Sequence, residues 1–312
     1  MAKRKKMSTL EFFGYIGINP KIVEDILQEK GKHYRTWCKE ESNGKKRTIE
    51  APIGELKKIQ KLLLEKIEFI PSQYAYGGVK GRSTKSNALV HRGSKFLVRI
   101  DIKDAYPSLT KAMLKEHFRK MNASVGLANI LTELVTFRGH LPQGAPTSMA
   151  IFNHFLSLAE LDDLFSQVIV EGKHLKYSRY VDDLIFTSSR KIPFQIEAIV
   201  TKELKKIGFV VNSKKTLRYS VKNRVLRITG VNLINRKPKV PPKKIRKFRG
   251  MIGRAIIDDS VSSAKVFGAV AYVMGIEKRI PNQILTPLIK YLEVRRIKCP
   301  PKIKKQIEKQ TR

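Results

Sequence analysis

Residues 175–188 read LKYSRYVDDLIFTS, two β-rich runs, Leu175–Tyr180 and Leu184–Ser188, on either side of the pair Asp182-Asp183. The runs are set to pair as a hairpin around a tight turn. A bare Asp-Asp pair at a hairpin tip is ordinarily a turn former and nothing more. Here both flanking strands read as apolar and buried against helices, so the tip holds two carboxylates on a rigid support within a basic chain. That placement is costly unless a cation compensates the charges. Asp101 supplies a third carboxylate, at the end of another buried-looking strand within KFLVRIDIK, residues 95–103. In a sheet, the end of that strand comes beside the hairpin tip. Two or three carboxylates converging on oxygen-seeking Mg²⁺ are what two-metal phosphoryl transfer requires, with ions about 3.5–4 Å apart. The residues alone therefore point to a metal-dependent phosphoryl transferase, with Asp101, Asp182 and Asp183 as candidate ligands of two magnesium ions.

The charge balance names the class of partner. Sixty-three Lys and Arg against 27 Asp and Glu leave a formal net charge of +36 on 312 residues. Such a chain attracts polyanions, most often nucleic acid, although a ribosomal or membrane-surface protein would carry the same charge. With 42% hydrophobic and 29% charged residues the composition is that of an ordinary soluble fold and excludes a disordered or collagen-like chain. The length suits one large mixed domain or two linked ones. Cys38 and Cys299 lie too far apart for a zinc knuckle and are too few for a disulfide scaffold, which suits a reducing cytoplasm. The N-terminus, with Lys3, Arg4, Lys5 and Lys6, leads into an amphipathic segment rather than a signal peptide. The longest nearly apolar run, Val266 to Ile276, is well short of the roughly 20 residues that span a bilayer. A cytoplasmic protein with no membrane partner is the expectation.

No repeat of fixed period and no Gly/Ser linker interrupts the chain. Residues 8–30 and 55–69 read as helices, the second with Leu56, Ile59, Leu62, Leu63 and Ile67 at helical spacing after Pro52. Lys45 to Ile53 reads as a basic strand or hairpin arm. Helices are expected over Lys111–Met121, Met149–Gln167 and Phe194–Ile207, with short strands near Phe209–Asn212, Arg224–Thr229 and Val231–Ile234. The order is α+β with an antiparallel sheet. After Asn235 comes RKPKVPPKKIRKFRG, residues 236–250, with eight Lys or Arg in fifteen residues. The division is therefore placed between residues 1–235 and a basic, helical 236–312. The run reads either as a solvated linker or as a phosphate-binding track, with Lys243, Lys244, Arg246 and Lys247 as the candidate RNA contacts.

Three segments, in order, carry a resemblance. Asp101-Ile102-Lys103-Asp104-Ala105-Tyr106, Leu141-Pro142-Gln143-Gly144-Ala145-Pro146-Thr147-Ser148 and Tyr180-Val181-Asp182-Asp183 resemble the palm motifs of reverse transcriptases, and the likeness runs from about Arg47 to Gly230. It implies a right-hand polymerase fold, with fingers and palm in residues 1–235, a helical thumb in 236–312, and RNA-directed DNA polymerase activity. It implies that Asp101, Asp182 and Asp183 hold the magnesium ions. Tyr106 resembles the steric gate whose ring excludes a ribose 2′-hydroxyl, against the plainer reading of a core tyrosine. Gln143 and Gly144 resemble the loop that borders the templating base pair and the incoming nucleotide. Arg47 resembles the fingers arginine on the triphosphate, and Ile102 joins this dNTP- and template-binding set. Lys215 matches the lysine that protonates the leaving pyrophosphate, with Lys214 its nearest rival.

Smaller fragments bear on the subtype. Asn87-Ala88-Leu89-Val90-His91 is similar to the NAxxH sequence of retron reverse transcriptases, and Ile228-Thr229-Gly230 stands where those enzymes usually show VTG. His91 itself is assigned no catalytic role. The chain has no room after the thumb for an RNase H, maturase or endonuclease domain, which argues against retroviral and typical group II intron enzymes. Departures are Ala105-Tyr106 where the family commonly has two aromatics, Val181 where it often has Ala, and Ile228 for Val. The resemblance implies a structured noncoding RNA as template and, through the 2′-hydroxyl of an internal guanosine, as primer. The product would be a multicopy single-stranded DNA joined to RNA, with a separate effector protein in antiphage defence. Another small bacterial reverse transcriptase, diversity-generating or defence-associated, stays open, as does a catalytically idle RNA-binding scaffold. The intact aspartates argue against the scaffold.

Overall fold

The computed structural model describes residues 7–40, 44, 46–170 and 172–311. Its central sheet has four strands in the order Lys176–Tyr180, Asp183–Ser188, Phe96–Asp101, Leu217–Ser220. Leu97, Val98, Ile100 and Asp101 are all buried, as befits an interior strand covered on both faces. The pairing is antiparallel: Ile102 N–H donates to the Asp182 carbonyl (3.0 Å) and Lys95 N–H to that of Ser188 (2.7 Å), so one strand runs up as the other runs down. The expected α+β fold with an antiparallel sheet is what the chain adopts.

The described residues fall into two compact units. The first comprises Met1–Gly81, Arg99–Phe186 and Pro193–Leu217. Its core is strongly aromatic: Tyr177 and Phe186 lie 5.0 Å apart between ring centroids, Phe165 packs edge-on to both, and Phe152 meets Phe209 at 5.8 Å. The second comprises Arg82–Val98, Thr187–Ile192 and Arg218–Arg312. It holds a three-stranded antiparallel sheet, Leu226–Ile228, Val231–Ile234 and Lys237–Lys239, and the helices Pro242–Ile257, Ser263–Glu277, Asn282–Arg295 and Pro301–Thr311. Glu277 joins sheet to helix, accepting from Lys239 Nζ (2.8 Å) and from the backbone of Val240 (2.9 Å). Among the described residues no helix is long and apolar enough to cross a membrane.

Several expectations are corrected locally. Residues 8–30 form two helices, Thr9–Ile16 in a capping box between Ser8 and Glu11, and Pro20–Gln28 capped by Asn19; the cap and proline restart the helix. The expected Met149–Gln167 helix divides into Ser148–Leu158 and Leu161–Ser166, because Glu160 adopts a left-handed backbone (φ 55°). Near Phe209–Asn212 only an isolated bridge from Val211 to Ile102 forms, and the edge strand is Leu217–Ser220. Residues 236–250 are not a linker: Lys237–Lys239 pair with Ile234–Asn232, and a helix starts at Pro242, where proline's fixed φ suits the first turn. Lys45 and Lys3 to Lys6 lie outside the described residues.

The strand read as apolar, Leu175–Tyr180, carries a charge into the core. Arg179 is 0% exposed, and its guanidinium donates to both carboxylate oxygens of buried Asp162 (2.8–3.2 Å) and to Asn153 Oδ1 (2.7 Å). Tyr177 adds its hydroxyl to the same carboxylate at 2.6 Å. Burial of a bare guanidinium is prohibitive, so the pair must form together. Asp162→Ala is expected to lower stability by about 3–5 kcal/mol, because it strands a buried charge. The drop should appear as a lower denaturant midpoint at unchanged slope, and an unchanged midpoint would show that Arg179 finds compensation elsewhere.

Candidate active site

The hairpin tip is held in a strained form. Val181, a β-branched residue, has φ 59°, in the left-handed region that such side chains avoid. The surroundings impose it. Arg179 Nη1 donates to the Val181 carbonyl (3.2 Å), Asn153 Nδ2 donates to the Gly77 carbonyl (2.8 Å), and Tyr76 N–H donates to the Arg179 carbonyl (2.7 Å). A Cβ on Gly77 would lie 2.5 Å from Val181 Cγ2 and 2.7 Å from its nitrogen, so only glycine allows this approach. The turn so formed delivers Asp182 beside the end of the strand Phe96–Asp101.

Asp101 sits there buried, with Lys215 on its carboxylate at 3.0 and 3.2 Å. The lysine is placed by a single 3₁₀ turn, Ser213–Lys215, hung from Asn212, whose N–H donates to the Asp101 carbonyl at 2.8 Å. Of the two rival lysines, Lys215 is the one that meets the aspartate. Asp183 has Arg99 beside it at 3.7 Å. Burial, reinforced by Asp101, raises Asp182 above the usual carboxylate range. Burial pushes Asp183 up to about 6, with Arg99 opposing and Asp182 and Asp101 adding to the rise. The three acids thus act on one another electrostatically in a desolvated setting where cationic side chains supply counter-charge.

A cavity opens on this cluster. Arg47, Ile102, Tyr106, Gln143, Asp182 and Lys215, taken from five separate stretches of sequence, all line it. Tyr106 is both a wall of the cavity and a packing residue, its ring edge-on to Phe152 at 5.6 Å, and burial first and then Asp182 raise its hydroxyl. Gly144 (φ 133°) lies against the strand that carries Arg47, where a Cβ would come within 2.8 Å of Ile49 Cγ2. Six lining residues were not among the candidates: Lys46, Thr48, Asp104, Ala105, Pro107 and Asn212. The first two flank Arg47 and Asp104 lies inside a quoted motif, so adjacency was the available signal; for Asn212 there was its place before Lys214 and Lys215.

The oxygen donors fit a hard divalent cation in their chemistry, since three carboxylates, two with raised pKa, are offered without nitrogen or sulfur. Among the described residues no three such side chains are gathered round one point as they stand. Lys215 meets both oxygens of Asp101, a carboxylate that such an ion would share with it.

In the second unit the two short fragments Asn87–His91 and Ile228–Gly230 touch: Asn87 Nδ2 donates to Thr229 Oγ1 at 3.3 Å. His91 is fully buried, with Nδ1 2.8 Å from Thr187 Oγ1, which is a packing role. Lys243, Lys244, Arg246 and Lys247 all lie on the helix Pro242–Ile257. Lys244 is turned onto aromatic rings, its ammonium 3.7 Å from the centroid of Tyr272, while the other three are exposed.

Comparison with known proteins finds relatives over most of the chain. The family model described as reverse transcriptase (RNA-dependent DNA polymerase) matches residues 33–250. The retron Ec86 reverse transcriptase of Escherichia coli is 28% identical over 262 residues, covering 82% of this chain and 81% of that one. The retron Mx162 reverse transcriptase of Myxococcus xanthus is 32% identical over 257 residues, with 70% of this chain and 52% of that one covered. The retron Se72 reverse transcriptase of Salmonella heidelberg is 30% identical over 252 residues, 76% and 64% respectively. This chain therefore spans about half to two thirds of the length of those last two. A solved telomerase from Candida albicans, in complex with a fragment of telomeric RNA, aligns with 93% of this chain and 67% of its own at 12% identity and a TM-score of 0.46. With motif residues gathered on one cavity and the family model spanning most of the chain, this protein belongs to the reverse transcriptase (RNA-dependent DNA polymerase) family.

Proposed function

We propose that the chain is a retron-type reverse transcriptase that copies a structured noncoding RNA, starting from the 2′-hydroxyl of an internal guanosine, into multicopy single-stranded DNA joined to RNA. The similarity to retron enzymes over most of the chain supports the subtype, as do the Asn87–His91 and Ile228–Gly230 fragments. The observation that carries the chemistry is the convergence of Asp101, Lys215, Asp182, Tyr106, Gln143 and Arg47 on one place. A cytoplasmic site of action, a role in antiphage defence and a separate effector protein complete the reading.

Asp101, Asp182 and Asp183 would hold two magnesium ions. When bound, these supply activation of the attacking hydroxyl and stabilisation of the leaving oxygen. The chain's own residues do the rest. The primer hydroxyl gives up its proton to solvent and attacks the α-phosphorus of a dNTP, the new P–O bond forms, and the bond to pyrophosphate breaks. Arg47 holds triphosphate oxygens through its fork of donors. Lys215 Nζ, released from Asp101, donates a proton to the departing pyrophosphate. Gln143, with Ile102 and Gly144, borders the nascent base pair, and the Tyr106 ring fills the space that a ribose 2′-hydroxyl would need. On the helix Pro242–Ile257, Lys243, Arg246 and Lys247 offer exposed charges to RNA phosphates, whereas Lys244 acts mainly through Tyr272.

The idle-scaffold alternative is separated by primer extension on poly(rA) with oligo(dT): an enzyme extends the primer in a magnesium-dependent way and a scaffold does not. Asp182→Ala with Asp183→Ala should reduce extension at least about a thousandfold, since metal-ion catalysis supplies several kcal/mol and each 1.36 kcal/mol is tenfold. RNA affinity should stay nearly intact, and wild-type synthesis by the double variant would sink the site. Tyr106→Val should admit ribonucleotides; an unchanged dNTP:rNTP preference would reduce Tyr106 to packing. Neutralising Lys243, Arg246 and Lys247 should flatten the dependence of log affinity on log salt by up to about 0.7 per contact. Affinities measured at two salt concentrations for the cognate RNA and an unrelated hairpin check this, and an unchanged slope would remove the helix from the interface.

A further inference from the structure

Outside the residues that line the cavity lies an acid–base pair, a buried carboxylate against a half-buried imidazole, with no part in the chemistry above. Glu50 is 5% exposed, and its Oε2 accepts from His140 Nε2 at 3.0 Å, while Arg138 Nη1 stands 3.7 Å from Oε1. Glu50 belongs to the strand Lys46–Pro52, which also carries Lys46, Arg47 and Thr48 into the cavity wall. His140 ends a tight turn in which Phe137 and His140 exchange backbone hydrogen bonds (2.9 and 3.1 Å), just before the loop that carries Gln143. The turn is itself anchored: Phe137 stacks on Tyr34 at 4.1 Å, and Tyr34 pairs with Pro52 at the far end of the same two-stranded ribbon. A second link lies beside the ion pair. Glu50 N–H donates to the Gln143 carbonyl at 2.9 Å, and the Gly144 backbone presses on Ile49 and Glu50.

We propose that Glu50 and His140 are positioning residues for nucleotide binding: their contact locks the Arg47 strand to the Gln143 loop and so fixes the distance between the two walls of the cavity. The proposal rests on reading that cavity as the nucleotide site. The strand is otherwise one arm of a ribbon whose other arm, Tyr34–Glu40, is exposed along nearly its whole length, so the ribbon has little packing of its own to set its place. A buried carboxylate is retained only if a partner satisfies it, and here the partner comes from the turn that leads into the Gln143 loop. Arg47 is three residues from Glu50, about 10 Å along an extended strand, so a small shift at the pair moves Arg47 and Thr48 with it.

Steady-state extension of oligo(dT) on poly(rA) with dTTP tests this on the full chain. His140→Ala and Glu50→Ala are each expected to raise the KM for dTTP about tenfold (about 1.4 kcal/mol), with kcat within about threefold of wild type and primer–template affinity unchanged. The double variant should be no worse than either single, because both remove one contact. His140→Gln, whose amide still reaches Oε2, should recover most of the loss. A merely structural pair would lower the melting temperature and active fraction without this split between KM and kcat. If Glu50→Ala does not fold, the two His140 variants decide the matter. Arg47→Ala is the control for the underlying reading. A raised KM there with an unchanged KM in the His140 variants overturns the positioning role alone; an unchanged KM in both overturns the nucleotide-site reading with it. Additive losses in the double variant also overturn the proposal.

Discussion

The guanidinium of Arg179 is taken fully out of water in the middle of a strand, and the arrangement round it follows from the need to compensate that charge. Asp162 supplies the counter-charge from the helix Leu161–Ser166, Asn153 supplies an acceptor from the helix Ser148–Leu158, and Tyr177 completes the carboxylate's shell. One donor is left for the carbonyl of Val181. The same asparagine reaches Gly77, whose missing side chain makes room for the strained turn. The ion pair thus converts a charge in the core into a fixed backbone at the hairpin tip, and strain at Val181 persists because so many contacts over-determine it.

Electrostatics then separates two scales. Over the whole molecule the net charge of +36 makes a field that gathers polyanions and speeds encounter with them. At the cavity acids and bases are interleaved: Asp101, Asp182 and Asp183 act on one another, and two of them are raised by burial and mutual repulsion. Lys215 pairs with Asp101, and Arg99 stands beside Asp183. A site built this way has a standing demand for cations, which the lysine meets at Asp101.

The cavity is made of parts that reach it independently. The basic ribbon contributes Arg47, the strand Phe96–Asp101 leads to Ile102 and Tyr106, and the loop before the helix Ser148–Leu158 contributes Gln143. None of these is held by the cavity itself. Their relative places come from contacts one layer back: Glu50 with His140, Gln60 with the Leu134 carbonyl (2.8 Å) and Thr147 (3.2 Å), and Asn212 with Asp101.

What was legible in the chain was whatever depends on residue type and short-range order. Asp101, Tyr106, Gln143 and the pair Asp182-Asp183 stand in unbroken motifs, and the strands beside them follow from β-rich runs, so fold class and candidate site could be read directly. Helix breaks at Glu160 and Asn19 were missed because a helical pattern persists across them and only the backbone dihedral or cap divides it. The choice between Lys214 and Lys215 could not be made from adjacent identical residues; a single 3₁₀ turn made it. The strand that carries Arg179 reads as apolar, and nothing local says that Asp162, from a separate helix, will lie at 2.8 Å to take up its charge. The pairing of Asn87 with Thr229 and of Glu50 with His140 likewise joins residues far apart along the chain. Partner identity over such separations is set by how the elements pack, and only the tertiary structure decides it, because a buried polar group takes its meaning from what the fold brings against it.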